Sequence, residues 1–173
     1  RAVDDFRNVS APAITNWNFP VGYVPLPRQK DHSIVVGVIR PDRTDGSQKI
    51  TLTDTVTIDA AAMWIGFEYG WYSASISSLE IYRDNGSAPG ELIAASTETG
   101  IGKEEAPREA IYEFISPITL EPGAYWLTPK IGPSDRNNPN RTDIFGSSGD
   151  AYPDGFWSAN PGADAYFLLR RAE

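Results

Sequence analysis

Fourteen prolines and fifteen glycines are spread through 173 residues, and few of the intervals between them can hold a helix. Proline removes a backbone donor and blocks a helix interior, and glycine weakens one. Where apolar residues recur between these breaks, they alternate with polar ones, as in "SLEIYR" and "ELIAAS". Alternation of this kind is the period of a strand with one buried face. "DAAAMWIGFEY" has the alanines of a helix, but Trp64, Ile65, Phe67 and Tyr69 argue for a strand. The chain is therefore expected to be all-β.

Candidate strands fall at 33–40, 49–53, 55–59, 63–69, 77–83, 91–96, 110–115, 123–131 and 163–171. Gly, Pro, Asn or Asp clusters separate most of them, and many short strands at this spacing make a sandwich or a barrel. Phe67, Ile81, Leu92, Phe114 and Leu127 lie on apolar faces and are expected in the core. Between "SLEIYR" and "ELIAAS", Asp84-Asn85-Gly86 supplies the positive φ of a turn, and Ala88-Pro89-Gly90 gives a second turn signal. Pro122-Gly123 delivers Tyr125 and Trp126 to opposite faces of the next strand, one to the core and one outward.

Residues 1–32 have a different character. "APAITNWNFPVGYVPLPRQKDH" places Pro12, Pro20, Pro25 and Pro27 among apolar residues, which suits an extended arm rather than a central strand. Apolar side chains on such an arm need a surface to cover, so Trp17, Phe19 and Tyr23 are candidates for contact with neighbouring subunits. The expected organisation is an arm at 1–32 and a sandwich domain at 33–173 with a long loop at 132–162.

"IYRDNGSAPGELIAAS" followed by "ITLEPGAYWL" resembles a recurring pattern. It pairs an Ile-Tyr-x-Asp-x-Gly-x-x-Pro-Gly-x-Leu hairpin with a Leu-x-Pro-Gly-x-Tyr-Trp-Leu strand. The pairing is similar to secreted bacterial choice-of-anchor-type β-sandwich domains and to jelly-roll domains of phage tail and other virion proteins. The similarity spans residues 65–130. It implies a jelly-roll-like antiparallel β-sandwich and a non-catalytic module of the extracellular space, cell surface or virion. In some members it is associated with glycan recognition or adhesion. It carries no catalytic residues to transfer.

Fifteen Lys and Arg against twenty-three Asp and Glu give a net charge of −8. An acidic surface repels phosphate backbones, so nucleic acid is not an expected partner. No apolar run approaches the roughly 20 residues of a spanning helix, so membrane insertion is not expected either. Cysteine is absent, which excludes disulfides, thiolate metal sites and Cys nucleophiles. The chain starts at Arg1 rather than Met, as a processed product would. The one histidine, His32, stands between Asp31 and Ser33. Adjacent residues of an extended chain point to opposite sides and form no Ser-His-Asp relay among themselves. Glu104 and Glu105 fall in a solvated loop, and Glu68, Glu80 and Glu113 lie on strands whose polar face is wet. No enzymatic activity is expected.

The loop at 132–162 is longer than connections in compact domains usually run. It carries Phe145, Tyr152, Phe156 and Trp157 together with Asn138. Three uses fit that composition: anchoring the loop, contacting a protein, or stacking a sugar ring beside hydrogen-bonding amides. The glycan version requires Trp157 and Tyr152 to protrude side by side. Asp135, Asp143, Asp150 and Asp154 suit either turns or a structural calcium ion, and no other cofactor is implied. Two functions remain. The first is a structural protein that assembles with itself or with other virion or surface proteins through its arm. The second is a carbohydrate-binding module that uses the loop aromatics.

Overall fold

The computed structural model describes residues 26–40, 43–44, 46–66, 75–101, 107–131 and 142–173. Two antiparallel sheets pack together, with no helix among the described residues. The strands are β1 (Ile34–Arg40), β2 (Arg43–Thr44), β3 (Gln48–Leu52), β4 (Val56–Gly66), β5 (Ser75–Asp84) and β6 (Pro89–Ala95). They continue as β7 (Thr99–Ile101), β8 (Arg108–Leu120), β9 (Gly123–Ile131), β10 (Thr142–Ser147), β11 (Asp164–Ala165) and β12 (Phe167–Arg171). One sheet runs β12-β4-β10-β1-β2, with β8 on β4 and β11 on β10. The other runs β3-β9-β5-β6, with β7 on β5. The core between them is built from alternate residues of both sheets, among them Ile50, Ile81, Tyr112, Leu127 and Ile144. The expected β-sandwich is therefore present.

β4 shows why two candidate strands, 55–59 and 63–69, are one. Val56 and Ile58 enter the core on even positions, whereas Ala61, Met63 and Ile65 enter on odd ones. The phase changes at a bulge between Ile58 and Ala60. A bulge places two residues opposite one and re-aims the side chains that follow. The extra residue, Asp59, accepts a 2.6 Å hydrogen bond from Arg170 Nε of β12. Ala60, Ala61 and Ala62 are all buried, Ala61 in the core and Ala62 in an outer cluster with Trp64, Tyr166 and Leu168.

The hairpin at β5–β6 matches its turn chemistry: Asn85 N–H donates to Ala88 O at 3.0 Å, and Gly86 holds φ +88°. Ile81, Phe114 and Leu127 are buried as expected. Leu92 is not; it is 49% exposed. Two register shifts in the hairpin set Leu92 opposite Tyr82, on the outward face of the sheet. Phe67 lies outside the described residues. Tyr125 and Trp126 do take opposite faces, but both are buried.

The segment at 132–162 is not the single loop that composition suggests. It contains β10, an inner strand paired with β1 on one side and with β4 and β11 on the other. At its other end, residues 26–29 of the expected arm lie on the sandwich. Leu26 is in the core, and Gln29 and Phe167 exchange backbone hydrogen bonds at 3.0 and 2.9 Å.

Phe114→Ala should lower the unfolding free energy by about 3–5 kcal/mol, because it leaves a cavity in the core. Leu92→Ala should cost less than about 1 kcal/mol. Urea denaturation of the two variants checks both expectations, and equal losses would show that the face assignment of β6 or β8 is wrong.

Candidate functional site

The chain after β10 closes the open side of the sandwich. Residues 152–158 run along the free edge of β3: Lys49 N–H donates to Phe156 O at 2.9 Å, and Thr51 N–H to the Tyr152 hydroxyl at 3.1 Å. Trp157 bridges to Gln48 and is completely buried, and Tyr152 is 7% exposed with its ring edge-on to Phe167. Burial pushes the Tyr152 hydroxyl above its ordinary pKa. The protruding pair required by a glycan-binding loop is therefore replaced by two core anchors. The physical reason is that β3 is an edge strand, and covering its edge draws the nearest large apolar rings inward.

The other loop residues separate. Phe156 is half-buried and meets Trp126 edge-on at 5.5 Å. Phe145 is half-buried on the opposite sheet, in a small outer cluster with Trp64, Tyr166 and Leu168. Asn138 lies outside the described residues, as do Asp135 and the arm positions Trp17, Phe19 and Tyr23. Asp143 is buried, while Asp150 and Asp154 are exposed. The described acidic positions are thus not brought together, and among the described residues no three His, Asp or Glu side chains form a metal-binding group.

Each sheet has a covered tryptophan on its outer side. On the five-stranded sheet, Trp126 Nε1 donates to Asp84 Oδ1 at 2.6 Å, and Lys49 Nζ reaches Asp84 Oδ2 at 2.9 Å while lying over the indole. Burial acts to raise the Asp84 carboxyl. The hydrogen bonds from Lys49 and Trp126, the Lys49 charge and a backbone bond from Gly86 outweigh it, so the group titrates below its ordinary value. On the seven-stranded sheet, the His32 ring stacks on Trp64 at 3.8 Å and meets Tyr166 edge-on. The Tyr166 hydroxyl donates to Glu109, whose carboxyl is raised by burial despite that bond and the nearby Lys30 and His32. His32 is thus a partly buried stacking partner.

A groove of ≈ 920 Å³ opens where β1 comes up to the outer face of the five-stranded sheet. Its walls include Val38, Pro89, Tyr82, Thr128, Lys130 and Ser158. Ser47 ties the walls together: its hydroxyl bonds Thr128 Oγ1 at 2.8 Å, and its N–H donates to Ser158 Oγ at 2.8 Å. Tyr82 donates to Glu80, which also pairs with Lys130 at 3.5 Å. Burial, followed by the Glu80 bond and charge, pushes the Tyr82 phenol up to about 12. Gly37 and Gly46 line it as well, and their missing side chains make room for Trp157. A Cβ at either would stand 2.7 or 2.5 Å from the nearest indole atom of Trp157. Tyr82 and Pro89 belong to the Ile-Tyr-x-Asp-x-Gly-x-x-Pro-Gly-x-Leu pattern, and no motif selects the others. The legible signal is Gly37 within "SIVVGVIR", since glycine inside a strand marks a bulge or a close approach; here it marks both.

A scan against protein-family models finds no match to this chain, and a search of curated proteins returns no relative.

Trp157→Ala should destabilise the fold by about 3–5 kcal/mol, as removal of a buried aromatic does; a near-unchanged melting temperature would contradict its anchoring role. The Asp84 contribution has a definite sign. Its folded pKa is depressed, so its stabilisation is present above the unfolded carboxylate pKa of about 4 and is lost as pH falls through the folded value. Urea midpoints of wild type and Asp84→Asn should therefore differ most near neutral pH and converge in strong acid. A gap that does not narrow would refute this linkage.

Proposed function

We propose that this chain is a non-catalytic structural module that assembles with copies of itself or with other surface proteins, in a virion, an extracellular filament or a cell surface. The observation that carries the proposal is the placement of exposed apolar residues. Ile115 on β8 is 91% exposed and Leu92 on β6 is 49% exposed. β8 and β6 are the edge strands of the two sheets on one side of the sandwich, joined where Thr97 N–H donates to Glu113 O at 2.8 Å. Edge strands are templates for pairing with other chains, and proteins usually guard them with charge or proline. β8 has Pro117 two residues after Ile115 but leaves Ile115 itself in water. Tyr152 and Trp157, the ring pair that a recognition loop would display, are instead buried in the fold.

The resemblance of "IYRDNGSAPGEL" and "LEPGAYWL" to virion and surface sandwich domains supports the same reading and a jelly-roll-like connectivity. The apolar sequence before Leu26, with Trp17, Phe19 and Tyr23, is the second contact element in this proposal. Leu26 and Gln29 fix its root on the sandwich.

Light scattering of the full chain should give a mass above the 19.0 kDa of one chain. Deleting residues 1–24 keeps Leu26 and Gln29 in place and should lower that mass, as should Ile115→Arg. A full-length protein that stays monomeric across the accessible concentration range, or an assembly indifferent to both changes, overturns the proposal.

A further inference from the structure

β8 leaves its ladder for one short stretch. It pairs with β4 at Glu113↔Ala60 and again at Ile118↔Ile58, so residues 114–117 stand against the single residue Asp59. Phe114 turns into the core, whereas Ile115, Ser116 and Pro117 are all exposed, Ile115 almost completely. The backbone here is unsuited to receiving a strand from another chain. Pro117 has no N–H, the four residues are out of the ladder register, and the Glu113 carbonyl beside them is already taken by Thr97. The edge presents instead an uncharged tip, Ile-Ser-Pro, whose one large apolar side chain is buried by insertion into a pocket rather than by strand pairing.

The groove beside β1 has the matching properties. Val38, Pro89 and the Tyr82 ring give it apolar walls. The Ser158 hydroxyl accepts from Ser47 N–H and keeps its own hydrogen for a carbonyl of an inserted chain. The ammonium in the lining, Lys130, is offset by Glu80 at 3.5 Å, so the groove is nearly neutral and favours an uncharged occupant. At ≈ 920 Å³ it has room for a short piece of chain as well as one side chain. Tip and groove lie apart on the molecule: β8 is at one edge of its sheet, and β4 and β10 separate it from β1. A tip therefore does not reach its own groove, and the two fit only between copies.

We propose that the tip at 115–117 of one copy inserts into the β1 groove of a second copy, with Ile115 against Val38, Tyr82 and Pro89. This rests on the assembly reading above and adds to it the partner surface and the symmetry. The contact joins two different surfaces, so each pair keeps one free tip and one unfilled groove. Growth then continues head to tail, into a ring or an open filament. The net charge of −8 opposes this growth at long range, and salt promotes it by screening.

The chain has no cysteine, so introduced thiols report the contact directly. Ser116→Cys marks the tip and Ala159→Cys the groove wall, both at exposed positions. Full-length chains carrying one or the other are mixed, oxidised with copper–phenanthroline and run on a non-reducing gel. The mixture should give a band of two chains, each variant alone should stay a single chain, and a chain carrying both changes should give a ladder. Adding Ile115→Ala to the tip variant should weaken association about 10- to 100-fold, the loss of one buried aliphatic side chain. Raising the ionic strength from about 0.05 M to about 0.5 M should increase the cross-linked yield. If the wild type assembles but the mixture does not cross-link, if Ser116→Cys links to itself as readily as to Ala159→Cys, or if the yield falls with salt, this contact is overturned and the assembly reading stands. A full chain that stays monomeric overturns both.

Discussion

The sandwich is closed by one buried carboxylate. Asp164 of β11 accepts from Gln48 Nε2 of β3 at 3.0 Å and from the Tyr152 backbone at 2.9 Å, and its carbonyl accepts from Gln29 Nε2 at 3.1 Å. Gln48 completes the exchange by accepting from Ala165 N–H at 2.7 Å. Gln48 lies in the five-stranded sheet and Asp164 in the seven-stranded one. A polar group in the interior is costly unless every bond is made, and a fully satisfied network specifies a single arrangement. Four stretches of chain, at residues 29, 48, 152 and 164, must therefore be in register at once. The order of the two sheets and the path of the closing segment follow from that requirement.

Closure then determines the fate of the aromatic residues. With residues 152–158 laid along β3, Tyr152 and Trp157 point into the gap between the sheets and fill it. Trp157 is large enough to reach β1, and it is accommodated there only because positions 37 and 46 are glycine. Both glycines also line the groove beside β1.

The outer faces of the two sheets hold two of the five tryptophans. Trp126 and Trp64 sit where alternation places them, pointing away from the core, yet each is covered by a polar or charged neighbour. Lys49 and Phe156 cover Trp126, and His32 and Tyr166 cover Trp64. Among the described residues, the large apolar side chains left exposed are Ile115 and Leu92 on the edge strands and Ile34 on β1.

Local chemistry was legible in the residues themselves. Alternation determined that the chain is all-β, and "DNG" determined the turn before β6, because strand period and positive φ are properties of a few adjacent residues. β9 falls at 123–131 as its pattern indicates. The continuity of β4 was not legible, because a bulge at Asp59 reverses the phase by which alternation is recognised. Nor was β10, whose "TDIFGS" has no clear period because nearly every residue of it is buried. Trp157 is the sharpest case. Its sequence neighbours are Ser, Gly, Asp and Asn, and they suggest a displayed ring. Its direction was decided by Gln48, Gly37 and Gly46, residues more than a hundred positions away in the chain. The sequence by itself determined the strand period and the turns, which depend on adjacent residues; only the tertiary structure decided which aromatic rings are inside, because that depends on which distant edge each segment covers.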